Sequence, residues 1–151
     1  MIRRFFVQVI ESISGSAEAD TMDRASVLRL ATAVLMVDVA RADHEFDESE
    51  FESMLRLIET HFGLSAEEAA ELVNAAGEEA DDMVSVYEFT QLLHQHLEKN
   101  EKEEIVGMLW QIAYADGSLD KYENSLVKKI SDLLYVSRGR SMRLKHNAAT
   151  I

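Results

Sequence analysis

One twelve-residue segment recurs in related form. Val39-Ala-Arg-Ala-Asp-His-Glu-Phe-Asp-Glu-Ser-Glu50 lies over Ile112-Ala-Tyr-Ala-Asp-Gly-Ser-Leu-Asp-Lys-Tyr-Glu123 at an offset of 73 residues. Ala40, Ala42, Asp43, Asp47 and Glu50 return as Ala113, Ala115, Asp116, Asp120 and Glu123, and Phe46 returns as Leu119. Further on, Met54 and Leu57 meet Val127 and Ile130. A one-residue slip then sets Leu64-Ser65 over Val136-Ser137. Two copies in 151 residues are too few for a solenoid, whose stacked repeats need about three or more to bury a continuous core. The chain is therefore expected to form one compact domain, 23–151. Its halves, about 24–77 and 100–149, are expected to be related by a pseudo-twofold axis and joined by residues 78–100.

Each copy bridges the end of one helix and the start of another. Val27, Leu30, Ala31, Val34 and Leu35 repeat at i, i+3, i+4, i+7 and i+8, one broad apolar helical face. Phe51, Met54, Leu55 and Ile58 follow the same period, as do Ala66, Ala69, Ala70 and Val73. Tyr87, Phe89, Leu92, Leu93 and Leu97 follow it less strictly. Ile105, Met108, Leu109 and Ile112 form another face, and Leu126, Val127, Ile130, Leu133 and Leu134 the next. Five capping-box pairs mark helix starts: Asp47/Glu50, Ser65/Glu68, Ser85/Glu88, Asn100/Glu103 and Asp120/Glu123. No alternating strand pattern competes, and the chain has no Pro to break a helix. The expected fold is all-α, with seven or eight helices.

Composition narrows the function. With 28 Asp and Glu against 15 Lys and Arg, the net charge is −13, which argues against a nucleic-acid partner needing a basic footprint. From Asp38 to Glu123 there are 23 acids and 5 bases, so the middle is −18 and the remainder +5. The bases of the remainder include Arg3-Arg4 and a tail with Arg138, Arg140, Arg143 and Lys145. There is no Cys, so disulfides, thiolate metal sites and cysteine nucleophiles are excluded. Any metal here is a hard cation held by oxygen. The longest charge-free apolar stretch, Ile105–Ala115, is too short for the ~20 residues of a membrane helix. Residues 1–22 read as an amphipathic helix and linker, with Phe6, Val9, Ile10 and Ile13 on one face, and not as a signal peptide. A cytoplasmic location is expected.

The repeated unit A-x-A-D-x-x-x-D-x-x-E supplies the candidate site: Asp43, Asp47, Glu50, Asp116, Asp120 and Glu123. Asp47/Glu50 and Asp120/Glu123 also read as ordinary capping boxes. Asp43 and Asp116 fall at helix C-termini, where the macrodipole disfavours a carboxylate by ~0.3–1 kcal/mol. A cation would offset that. Asp116-Gly-Ser-Leu-Asp-Lys-Tyr-Glu123 matches the later half of an EF-hand loop, but the earlier ligand positions hold Ile112 and Tyr114, and in the first copy Val39 and Arg41. A full EF-hand is excluded, and a water-completed Ca²⁺ or Mg²⁺ site is the expectation. Asp38, on the Val34/Leu35/Ala42 face, reads as structural. Its counterpart in the second copy is Gln111.

The five histidines (His44, His61, His94, His96 and His146) do not form a ligand set, and no H-E-x-x-H, phosphate loop or G-x-S-x-G is present. An enzyme is not expected. The basic tail, capped by Ser137, reads as a solvated helix face pairing with the acidic middle.

The paired Ala-Arg-Ala-Asp and Ala-Tyr-Ala-Asp-Gly turns, each leading to a Glu-bearing helix start, resemble the TerB-like tellurite-resistance family. So do Leu57-Ile-Glu-Thr-His-Phe-Gly-Leu-Ser, Leu109-Trp-Gln-Ile-Ala-Tyr-Ala-Asp-Gly and Val127-Lys-Lys-Ile-Ser-Asp-Leu-Leu-Tyr-Val-Ser. The resemblance runs from Val27 to Leu144. It implies an all-helical cytoplasmic protein linked to stress responses against tellurite and other toxic oxyanions. It also implies protein partners, membrane-associated ones among them, and metal ligation at Asp43, Glu50, Asp116 and Glu123. The first copy departs from the pattern in having His44 where the second has Gly117. The expected function is a non-enzymatic binding module for a divalent cation, a protein partner, or both. Two alternatives stand beside it. One is a pure interaction domain, a co-chaperone-like or membrane-complex adaptor, with structural carboxylates. The other is a metal-assisted hydrolase, which needs both acidic turns to converge in a deep pocket.

Overall fold

The computed structural model describes residues 21–42, 48–115 and 119–149. The expectations for residues 1–20 lie outside them. Seven helices are found among the described residues: α1 Thr21–Ala40, α2 Glu48–Phe62, α3 Ala66–Asp82, α4 Tyr87–His96, α5 Lys99–Ala113, α6 Lys121–Leu133 and α7 Arg138–Ala149. The fold is all-α, as the periodicity predicts.

The sequence suggests one apolar face for the first helix, but α1 is enclosed. Thr32, Ala33, Met36 and Val37 are buried along with the predicted Val27, Leu30, Ala31, Val34 and Leu35. The reason is its neighbours: α1 packs against α2, α3, α4, α5 and α6, which leaves little of it wet. Around it lie Met54 and Ile58 of α2, Ala69, Val73 and Ala76 of α3, and Phe89 and Leu93 of α4. The second half supplies Leu109, Trp110 and Ile112 of α5 and Val127 and Ile130 of α6. Tyr87 points outward at 56% exposed, so the buried face of α4 is Phe89, Leu92 and Leu93.

Corresponding neighbours touch in both halves. α1 contacts α2 and α3 as α5 contacts α6 and α7; α2 crosses to α5, and α6 crosses to α1. The correspondence reaches single residues. Helix α2 ends at Gly63 (φ 66°), with the Leu64 N–H donating to the Glu59 carbonyl over 3.1 Å. Helix α6 ends at Tyr135 (φ 61°), with the Val136 N–H donating to the Ser131 carbonyl over 2.9 Å. Both are left-handed C-terminal caps with an apolar residue following, the Schellman arrangement. In both a serine then starts the next helix: Ser65 Oγ accepts from the Glu68 N–H and Ser137 Oγ from the Arg140 N–H, each at 3.1 Å. The one-residue slip in the repeat therefore ends on equivalent geometry.

Candidate metal centre

The helix starts that carry the repeated carboxylates are stabilised locally in different ways. At α6, Asp120 is the N-cap, and its Oδ2 accepts from the Tyr122 N–H at 2.8 Å and the Glu123 N–H at 3.3 Å. These are two of the four N–H groups that a helix start leaves without a helical partner. At α3 the predicted capping box is complete, with the Ser65 N–H returning a 2.9 Å bond to Glu68 Oε1. That backbone bond is the main cause that holds the Glu68 carboxyl below its ordinary pKa; the Ser65 hydroxyl adds to it. The predicted Asn100/Glu103 box is displaced. Helix α5 begins at Lys99, and the Glu98 N–H donates to Glu101 Oε1 at 2.9 Å. Glu103 instead accepts from Arg140 Nε of α7 at 2.8 Å.

Of the six predicted ligands, Glu50, Asp120 and Glu123 are described, while Asp43, Asp47 and Asp116 lie outside the described residues. Glu50 and Glu123 are each the third residue of their helix, and both are buried, at 1% and 0% exposed. Both oxygens of Glu123 are shielded from solvent, and so is Oε2 of Glu50. Taking a carboxylate out of water costs several kcal/mol in real proteins. The positive end of a helix returns about 0.3–1 kcal/mol of that, one part of what holds them there. Exposed acids on the same helices, such as Glu48 and Glu52, meet no such cost. Among the described residues no group of three or more His, Asp or Glu is gathered around a common metal position.

A third buried carboxylate went unmarked in the sequence. Glu79 of α3 is wholly buried, on the stripe that includes Ala69, Val73 and Ala76. Its register was the available signal, since it stands three residues beyond Ala76. Beside it Arg41 Nη1 donates to Asp81 Oδ1 over 2.6 Å, and a Cβ on Gly77 would come within 3.2 Å of Arg41 Nη2. The guanidinium thus lies across the bare backbone of α3. Asp38, one turn before Arg41, has its pKa raised by burial, against the opposing charges of Lys129 on α6 and Arg41. It sits between cations at the α1–α6 contact.

No described helix is long and apolar enough to cross a membrane. A family model described as "Tellurite resistance protein TerB" matches residues 29–146, well over half of the chain. Searches of the curated proteins and of the solved structures gave no match. The all-α fold, the doubled acidic helix starts and the span of that match lead to one conclusion: the chain belongs to the TerB family.

Proposed function

We propose that this TerB-family chain is a non-enzymatic, cytoplasmic binding module of a stress response connected with tellurite resistance, and that its two acidic turns engage a divalent cation, Ca²⁺ or Mg²⁺. The observation that carries this is the pair Glu50 and Glu123. They stand at equivalent positions of the repeat, and both are removed from solvent at a helix start. Hard cations take six to eight oxygens, carboxylates and waters included. Glu50 on one turn, and Asp120 and Glu123 on the other, would supply oxygens to such a shell, with Asp43, Asp47 and Asp116 as the further ligands. The test is calorimetry with Ca²⁺ and with Mg²⁺ on the wild-type chain, on Asp116→Asn/Glu123→Gln and on Asp43→Asn/Glu50→Gln. Saturable heats in the wild type, lost in one or both variants, are expected. Negligible and identical heats in all three overturn the metal reading.

A second reading has its own observation. Helix α3 exposes Glu67, Glu68, Glu71, Glu78, Asp81 and Asp82, an acidic surface suited to a basic protein partner at a membrane or in a co-chaperone complex. Capture of a partner that weakens with salt and persists in chelator supports that docking role without a metal.

A further inference from the structure

The α6–α7 hairpin carries a basic groove that the acidic turns leave unexplained. After Glu123 the chain holds six Lys and Arg against one acid, Asp132. On α7, Arg138, Ser141, Met142 and Lys145 fall at i, i+3, i+4 and i+7 and share a face. On α6, Lys128, Ser131 and Asp132 do the same. Between the two helices lies a cavity of about 300 Å³ lined by Lys128, Ser131, Asp132, Arg138, Ser141 and Met142. That is the lower end of the size range of small-molecule sites.

The serines that line this cavity are fixed. Ser131 Oγ donates to the Val127 carbonyl at 2.8 Å, and the Trp110 Nε1–H donates to Ser141 Oγ at 3.2 Å. The 3.0 Å bond between the two hydroxyls must then run from Ser141 to Ser131. Both hydroxyl hydrogens are committed, so this pair, 2% and 4% exposed, meets a ligand only as an acceptor. Asp132 is a further acceptor. Outside this lining, on the same face of α7, Lys145 Nζ stands 5.3 Å from the Trp110 ring centroid. Desolvation, and then the charge of nearby Lys128, hold Lys145 below its ordinary pKa. Lys128, Arg138 and Lys145 form no ion pair with a described residue, whereas Arg140 is tied to Glu103. The predicted pairing of the tail with the acidic middle is thus made by Arg140, and these three cations are left over.

We propose that this groove binds a phosphate-class oxyanion, inorganic phosphate or the phosphate of a monoester, at Lys128 and Arg138, with its O–H directed to the acceptors Ser131, Ser141 and Asp132. Two lining cations, Lys128 and Arg138, without an ion pair to a described residue call for an anion, and a lining of acceptors calls for an anion that carries a hydrogen. Sulfate carries none near neutral pH and hydrogen phosphate carries one. The site does not depend on the divalent cation.

Trp110 is the only Trp, and its indole N–H donates to Ser141 of the lining, so it reports on the site. The full chain is titrated at pH 7 and constant ionic strength with sodium phosphate, sodium sulfate, or vesicles containing phosphatidic acid, and Trp fluorescence is followed with calorimetry as a second readout. The expected result is saturable binding of phosphate, at least fivefold weaker for sulfate. In Lys128→Gln/Arg138→Gln and in the exposed single variant Lys128→Gln it weakens, at least tenfold in the double, with the far-UV circular dichroism unchanged. Binding to the vesicles as well as to free phosphate shows that the phosphoryl group itself is recognised. No saturation, equal affinity for sulfate, undiminished binding by the variants, or binding to vesicles alone overturns the proposal.

Discussion

At the scale of single residues, the two left-handed caps offer a controlled comparison. Gly63 and Tyr135 hold nearly the same φ, but only glycine does so without steric cost. No atom lies within 4 Å of a Cβ built on Gly63, so Gly63→Ala is expected to destabilise through backbone conformation alone, by about 1 kcal/mol. Tyr135 is 74% exposed, and its ring stacks on His94 at 4.3 Å. Tyr135→Gly is expected to stabilise by about 0.5–1 kcal/mol, the relief of φ less the lost stacking. Urea unfolding of the two variants checks both signs, and a destabilised Tyr135→Gly would place the ring contact above the strain. Asp38 gives a pH-dependent case. Burial raises its folded pKa above the unfolded value, so the folded state binds the proton more tightly. The resulting loss of stability is fully felt above the folded pKa and recovered as pH falls through it. Asp38→Asn is therefore expected to raise the melting temperature at pH 8, and the advantage to shrink on acidification. An advantage independent of pH would point to packing and not to charge.

At the scale of helices, three elements meet in one hydrogen-bond relay. Trp110 of α5 donates to Ser141 of α7, which donates to Ser131 of α6, which donates to the Val127 carbonyl within α6. Ser141→Ala leaves a buried indole N–H without its acceptor, at a cost of about 1–3 kcal/mol. Ser141→Thr keeps the hydroxyl and is expected to recover part of it, and equal losses in the two variants would mean that shape and not the bond matters there. This relay also marks where the sequence stops being legible. Its members are separated by 31 and 10 residues, and no local period joins them. What could be read locally was the apolar period, the repeat down to its one-residue slip, and the Ser65/Glu68 cap. Asn100/Glu103 failed for a physical reason: Glu98/Glu101 offers the same spacing two residues earlier, and Arg140 of α7 draws Glu103 away. For the candidate site, the offset sets Glu50 over Glu123, and both are buried as the third residue of a helix. Burial of Glu79 has one local signal, its register three residues beyond Ala76, and otherwise depends on how α3 packs. The meeting of Lys128 with Arg138 at one cavity depends likewise on the hairpin.

At the scale of the molecule, charge decides how a cation would act. A net charge of −13, with −18 concentrated between Asp38 and Glu123, repels itself in the folded state more than in an expanded chain. Any added salt relieves part of that, so stabilisation by CaCl₂ alone is not evidence of a site. Screening follows ionic strength and is the same for Asp116→Asn/Glu123→Gln, apart from the charge removed. Specific binding follows RT ln(1 + [L]/Kd), which gives about 2.7 kcal/mol at a hundredfold excess over Kd. For a domain of this length that is roughly 5–10 °C in Tm. The two effects separate at fixed ionic strength. Replacing NaCl by CaCl₂ or MgCl₂ is expected to raise the wild-type Tm by several degrees, and that of the double variant by much less. A wild-type Tm that ignores the exchange would leave Glu50 and Glu123 as structural carboxylates, and would move the functional weight to the acidic face of α3.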